Sequence, residues 1–308
     1  MVQGESLMVD FYKKIFKDRE KRLKLVSLLS FIPDEPYIKF VYRIKTGKRL
    51  NLKNPRGFTE KQNWLKIHDI HPEYAQLVDK LKVREIVKEK IGEKYLIELL
   101  GSWDRFEDIN FDLLPQKFVL KCNHDSGSVK LINDKNKIDK AELSKFFSGR
   151  LSLNPYCFGR EYPYKTVKPK ILAERFMEND SGEPIRDYKF LCFNGEPKYV
   201  FVCSERGSES GTKFDFFDMD FNHLDIRSAV GENSKKLIEK PISFEEMKQC
   251  VRLIAKKIRF VRMDFYEING KCYFGEYTFF DSGGYDVYRP IEVEYKLGDM
   301  IDISDIND

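Results

Sequence analysis

The spacing of hydrophobic and polar positions changes near residue 95. Before it, apolar residues recur at helical intervals; after it, they gather in short β-rich runs. In the first part, a mixed charged and apolar segment over residues 5–31 predicts a helix that stops near Pro33. A second helix is expected over 37–45, with Ile38, Val41 and Tyr42 on one side. Thr59 is expected to begin a third, Gln62 completing a capping box and Trp64, Leu65 and Ile67 forming its apolar side. Pro72 just inside a start and Gly92 at an end bracket a fourth helix over 72–91, with Tyr74, Leu77, Val78 and Leu81 toward the core. Lys80, Arg84 and Lys88, four residues apart, form a separate basic stripe on it. The plainer reading of that stripe is a solvated face balanced by Glu85 and Glu89.

Beyond residue 95, strand-like runs fall at 117–122, 128–132, 170–176, 187–193, 198–203 and 213–217, interrupted by helical patterns at 140–149 and 243–257. Short turns such as Asn194-Gly195 link the middle strands. This is an α+β pattern with antiparallel sheets, not a βαβ alternation. Two further apolar runs, 260–268 and 271–279, are split by Asn269-Gly270. Asn-Gly between β-rich segments is a strong hairpin signal because both turn positions need positive φ. Arg262 and Asp264, two apart, share one face of the first strand. Simple pairing across the turn sets Glu276 opposite Met263, one residue off Asp264 and within diagonal reach, and a small offset from twist or a bulge would bring the two acids together. Two carboxylates converging there repel unless a cation joins them, and Mg²⁺ takes one or two carboxylates plus phosphate oxygens. Pattern alone equally allows a solvated face carrying ordinary charges. The tail, 297–308, is acidic and expected to fray.

At 308 residues, with 42% apolar and 34% charged residues, the chain has a soluble globular balance and room for two or three subdomains. Its net charge of +4 is too mild to argue for specific nucleic-acid binding. The distribution says more, because the first hundred residues hold 22 Lys/Arg against 14 Asp/Glu. A basic half suits an acidic substrate or the cytoplasmic face of a membrane. The six cysteines form no C-x-x-C pair and no zinc spacing, which favours a reducing compartment. With a densely charged N-terminal segment, no signal peptide and no bilayer-spanning apolar run, a cytoplasmic location is expected.

Candidate chemistry lies in the strands and their loops. Phe118-Val-Leu-Lys-Cys-Asn-His-Asp-Ser-Gly-Ser128 is a strand ending in Lys121, followed by a small-residue loop whose amides suit phosphate. It is not a Walker loop, and a plain hairpin is its simpler reading. His124 and Asp125 lack the context of a nucleophilic triad. Asp187 and Lys189 share a strand face, and a buried Lys there needs an anionic partner. Glu174 ends an apolar run where a core strand would carry no charge.

Taken in order, these motifs resemble the TupA-like ATP-grasp family, which is associated with teichuronopeptide and other surface-polysaccharide biosynthesis. The resemblance runs from Asn51-Leu-Lys-Asn-Pro, Val78-Asp-Lys and Val83-Arg-Glu through the Lys121–Ser128 loop. It continues with Arg186-Asp-Tyr-Lys-Phe, Phe193-Asn-Gly-Glu, Val261-Arg-Met-Asp and Phe274-Gly-Glu-Tyr-Thr. It implies a helical N-terminal region over 1–92 and an ATP-grasp domain over 93–308, whose subdomains (93–172 and 173–308) grip ATP. It also implies that Lys121 contacts the nucleotide, that Ser126, Gly127 and Ser128 cover its phosphates, and that Glu174 sits at the adenine-side hinge. Lys189 would reach the phosphates, Asp264 and Glu276 would hold Mg²⁺, and Arg262 would lie near the transferred phosphoryl group. Such a protein joins a carboxylate to an amine through an acyl phosphate, with an acidic saccharide or amino acid as acceptor and lipid-linked intermediates at the inner membrane face. A glycosyltransferase-like enzyme of the same pathway and a non-catalytic nucleotide-binding module are the alternatives. The chain departs from the pattern in two ways: Thr278 stands where an Asn usually follows the metal-binding glutamate, and basic helices replace the usual doubly wound N-terminal domain.

Overall fold

The computed structural model describes residues 28–205, 211–229 and 231–306. The helix expected over 5–31 falls almost wholly outside them; its described end, Leu28–Phe31, is a 3₁₀ turn. Four helices follow: α1 (Asp34–Thr46), α2 (Phe58–His68), α3 (Tyr74–Val78) and α4 (Val83–Lys90).

Two of these correct the sequence reading. Thr59 does not cap α2 through Gln62. Instead Glu60 accepts the backbone amides of Arg56 and Gly57, while Glu294, distant in sequence, accepts both the amide and the hydroxyl of Thr59. Gln62 is turned into the interior. The single helix expected over 72–91 is broken at Asp79, whose Oδ1 accepts the amide of Leu81 at 2.9 Å and the side-chain amide of Asn123 at 2.9 Å. A short polar side chain that bonds its own backbone competes with helix continuation. The break therefore docks α3 and α4 onto the loop after residue 122.

Two antiparallel sheets carry the rest. The first has the order β1-β4-β2-β3, built from β1 (Leu99–Trp103), β2 (Phe118–Cys122), β3 (Lys130–Ile132) and β4 (Ile171–Arg175). β1 has no alternating signature, its Leu-Leu-Gly-Ser-Trp being half-buried except for the exposed Ser102, and the sequence reading passed over it. Phe118, Leu120 and Cys122 pack on Phe147 of helix α5 (Lys140–Leu151), so the period of two sends Val119 and Lys121 to the opposite face. A short helix α6 (Tyr156–Gly159) precedes β4, which runs across the 172/173 division drawn from sequence.

The second sheet has the order β10-β9-β5-β6-β7-β8. Its strands are β5 (Arg186–Phe193), β6 (Glu196–Ser204), β7 (Lys213–Phe217), β8 (His223–Leu224), β9 (Phe260–Ile268) and β10 (Lys271–Thr278). Helix α7 (Phe244–Ile254) covers one face, where Phe190 stacks on Phe244. The described part of the tail is not frayed as expected at its start: α8 (Ile291–Asp299) packs on α2, Leu297 and Ile301 are buried, and Lys61 donates to the carbonyl of Ile301. No helix among the described residues is long and apolar enough to cross a membrane.

Candidate active site

The Asn269-Gly270 turn closes the β9–β10 hairpin, and the register shifts between Phe274 and Glu276. That bulge sets Glu276 opposite Asp264 and Thr278 opposite Arg262. Gly275 sits at the shift, where a Cβ would lie 2.9 Å from the carbonyl oxygen of Asp264. β5 lies on the other side of β9 and places Lys189 opposite Asp264. Three adjacent strands thus bring Lys189, Asp264 and Glu276 together across one sheet face.

Arg262 organises the charges. Its Nε and Nη2 donate to the two oxygens of Asp264 at 2.7 and 2.8 Å, Nη1 to Asp281 at 2.8 Å, and Nη2 to Glu276 at 3.3 Å. Lys189 donates to Asp264 as well and lies 3.5 Å from Asp187. Burial alone would raise the pKa of Asp264, but Arg262 and Lys189 outweigh it and hold the carboxyl below its ordinary range. Glu276 is looser: Arg262, the Thr278 hydroxyl at 3.4 Å and Lys80 at 3.7 Å surround it. Asp264 and Glu276 fit a hard cation that takes two carboxylates and completes its shell with water and phosphate oxygens. The Thr278 hydroxyl donates to Glu276 beside this pair.

The other sequence candidates lie on the facing sheet. Lys121 reaches Glu174 at 2.6 Å, and Arg84 approaches the other oxygen of Glu174 at 3.4 Å while donating to the carbonyl of Ile97. A cleft of about 530 Å³ opens beside them. Val119, Val129, Leu131, Phe176, Met177 and Ile268 wall it, with Lys121, Glu174 and Asp187 at its polar end. Leu131 is 61% exposed and Val129 48%, an open apolar surface of the kind ligand clefts present.

The loop after β2 is fastened from within. Asn123 bonds Asp79 and the carbonyl of Lys168, and accepts the amide of Lys170. Ser128 accepts the amide of Cys122 and donates to Asp125; Arg150 donates to the carbonyl of Gly127 at 3.1 Å. The Ser128 hydroxyl is therefore spent on the loop itself, and Ser126 and Gly127 form its exposed tip. His124 is buried against the carbonyl of Leu153, a packing residue.

The basic stripe does not exist as one surface. Lys80 falls in the break between α3 and α4 and donates to the carbonyl of Asp125 at 2.7 Å. Lys80 and Arg84 thus line a small gap against Lys121 and Glu174, beside the cleft, and only Lys88, paired with Glu93, faces solvent. Sequence reasoning missed Asp281 and gave Lys80 and Arg84 the wrong surroundings. Only the Asp79-Lys80 step, a helix-breaking acid inside an apolar period, marked the break.

A family model described as TupA-like ATPgrasp matches residues 60–302 of this chain. No curated protein matches it. Among solved structures, the D-alanine–D-alanine ligase from Bacillus anthracis superposes with a TM-score of 0.42 and 17% identity, over 80% of this chain and 69% of that one. The same ligase complexed with ATP gives 0.41 and 14%, over 79% and 65%. The ATP-grasp ligase PsnB complexed with minimal precursor, Mg and ADP gives 0.37 and 8%, over 71% and 57%. The chain thus spans from little more than half to about two-thirds of these structures' lengths.

Proposed function

The chain belongs to the TupA-like ATP-grasp family, and from that membership we propose that it is an ATP-dependent ligase joining a carboxylate to an amine. The observation that carries this reading is an adjacency. Asp187, at the polar end of the apolar cleft with Lys121 and Glu174, lies 3.5 Å from Lys189, which donates to Asp264 on the face that Arg262 and Glu276 share. The base of ATP lies between Val119, Leu131, Met177 and Ile268, with Glu174 at the hinge. Lys121 and Lys189 take phosphate oxygens, and the amides of Ser126, Gly127 and Ser128 cover the phosphates.

Asp264 and Glu276 would hold Mg²⁺, which would supply neutralisation of phosphate charge during transfer of the terminal phosphoryl group of ATP. The substrate carboxylate meets that group beside Arg262, whose guanidinium is already fixed by Asp264 and Asp281 and so needs no reorganisation. The acyl phosphate is then displaced by the amine. Helices α1 to α4 brace a domain of two parts, whose division falls after β4 rather than at 172/173. The family's association with surface polymers makes an acidic saccharide or amino acid the acceptor, handled in the cytoplasm beside lipid-linked intermediates.

Incubating the full chain with MgATP and a panel of uronic acids, amino acids and amines tests this. ADP and phosphate released only when both substrates are present support ligation. Sugar-nucleotide consumption would favour transfer, and ATP binding without turnover across the panel would favour a binding module.

A further inference from the structure

Helix α1 turns two different faces to its surroundings. On the inner one, Tyr37, Ile38, Val41 and Tyr42 are buried. Tyr42 shares a hydrogen bond of 3.0 Å with Thr59 of α2, its ring centre lies 6.4 Å from that of Tyr285, and the Tyr37 hydroxyl donates to the carbonyl of Phe158. Asp34, at the start of the helix, accepts the Tyr156 hydroxyl and lies 3.5 Å from Arg160. These contacts with α2, with the segment around α6 and with Tyr285 fix which side of α1 faces out.

On the outer face the period of 3.6 sets Lys39, Phe40 and Arg43 together. Phe40 is 52% exposed, and Phe31, in the 3₁₀ turn before the helix, is 79% exposed. Lys48, Arg49 and Lys53 follow the helix and are exposed as well. From residue 31 to residue 53 there are six Lys/Arg, every one exposed, and only two acids. Both acids are engaged, Asp34 with Tyr156 and Glu35 with Lys39. The result is a basic surface from which two large apolar rings stand out. Cations alone would suit any polyanion. Cations beside exposed phenylalanines suit an anionic bilayer, whose headgroups pair with the charges while the boundary of its acyl chains takes up the rings.

We propose that this face of α1 docks the protein on an anionic phospholipid membrane. The helix lies along the surface, Phe31 and Phe40 enter the headgroup boundary, and Lys39, Arg43, Lys48 and Arg49 meet lipid phosphates. The inner side of the same helix leads to the site. Lys45 stands 4.3 Å over the ring of Tyr285, which follows the Asp281–Gly284 turn, and Asp281 accepts from Arg262 at 2.8 Å. Docking therefore holds the Arg262 side of the site one helix away from the bilayer, as a lipid-linked substrate requires. That last step rests on the ligase reading, which puts the acyl phosphate beside Arg262; the docking does not.

The test is co-sedimentation of the full chain with vesicles of phosphatidylcholine and phosphatidylglycerol in equal parts, against vesicles of phosphatidylcholine alone. The chain should pellet with the mixed vesicles and not with the neutral ones, and salt should weaken the binding, since it screens surface charge over about 8–10 Å. Lys39→Glu with Lys48→Glu should weaken binding by at least about tenfold, and so should Phe31→Ser with Phe40→Ser. All four side chains are exposed, so both variants should melt and bind MgATP as wild type does. No binding of wild type to the mixed vesicles, or undiminished binding by either variant, would overturn the proposal. Soluble polygalacturonate that binds the phenylalanine variant as well as wild type and strips wild type from vesicles would make the surface a polyanion site, which also overturns it. Failure of wild type to bind MgATP would sink the ligase reading alone, because the vesicle result is read without nucleotide.

Discussion

Arg262 grips Asp264 through two parallel hydrogen bonds, 2.7 and 2.8 Å long, but touches Glu276 through only one, at 3.3 Å. The two acids that sequence pairs as equals are therefore unequal in the fold. Asp264 is 1% exposed and neutralises two buried cations, whereas the Glu276 side chain is 29% exposed.

Substitutions should separate them. Asp264→Asn strands Arg262 and Lys189 and should cost about 3–5 kcal/mol of stability, the usual scale for breaking a buried pair. Glu276→Gln should leave the melting temperature within a few degrees while abolishing Mg²⁺-dependent nucleotide binding. Thermal melts with and without MgATP check both. Equal destabilisation by the two would show that the ion-pair network treats them alike.

Nucleotide grip should follow the cleft residues. Lys121→Ala and Lys189→Ala would each remove a proposed charge-assisted phosphate contact, which should weaken ATP about ten- to a hundredfold. Of the former stripe, Lys80→Glu and Arg84→Glu should lower ATP affinity as well, because Lys80 fixes the Asp125 carbonyl and Arg84 reaches Glu174. Lys88→Glu should change nothing beyond its exposed pair with Glu93. Calorimetric titration of the five variants with ATP reads these effects directly.

What the chain disclosed in advance follows from the range of the forces involved. The hairpin was readable because Asn269-Gly270 fixes its turn locally; simple pairing left Asp264 and Glu276 one position out of register, twist or a bulge could have joined them, and the structure has the bulge. Lys121 and Lys189 were readable as charges inside strands. The Lys80 and Arg84 environments were not, because they depend on Asp79 bonding Asn123, 44 positions away. Nor was the tail: its acidic composition hides Leu297 and Ile301, and the bond from Thr59 to Glu294 spans 235 positions.

Asp286 offers a pH test outside the phosphate face. It accepts the Ser228 hydroxyl at 2.5 Å and the Ala229 amide at 2.7 Å, tying the segment after β8 to the one after the Asp281–Gly284 turn. Burial raises its pKa from 3.8 to about 6. Between those values the folded chain holds a proton that the unfolded chain has released, so this group's stabilisation is full below about pH 4 and is lost as pH rises through about 6. Asp286→Asn, which cannot ionise, should gain stability relative to wild type across that window. Denaturation at pH 4, 5, 6 and 7 measures the difference; a constant offset would mean Asp286 ionises normally in the fold.

The bulge at Gly275 is the last point on which the site depends. Without the register shift, Glu276 would pair with Met263 and its carboxylate would leave the face that carries Asp264. A Cβ at residue 275 would stand 2.9 Å from the Asp264 carbonyl oxygen and 3.1 Å from the Tyr266 ring. The first neighbour is backbone of the paired strand and cannot swing aside, so Gly275→Ala must part β9 from β10 at the bulge. The effect should be specific, since Lys189 and Lys121 stay where they are. Affinity for ATP without metal should fall by no more than about twofold, while the enhancement given by Mg²⁺ should largely disappear, because one of two carboxylates is displaced. Titrating Mg²⁺ against the ATP-saturated variant measures that enhancement. Full retention would mean that the bulge, though present, does not set the spacing of the two acids.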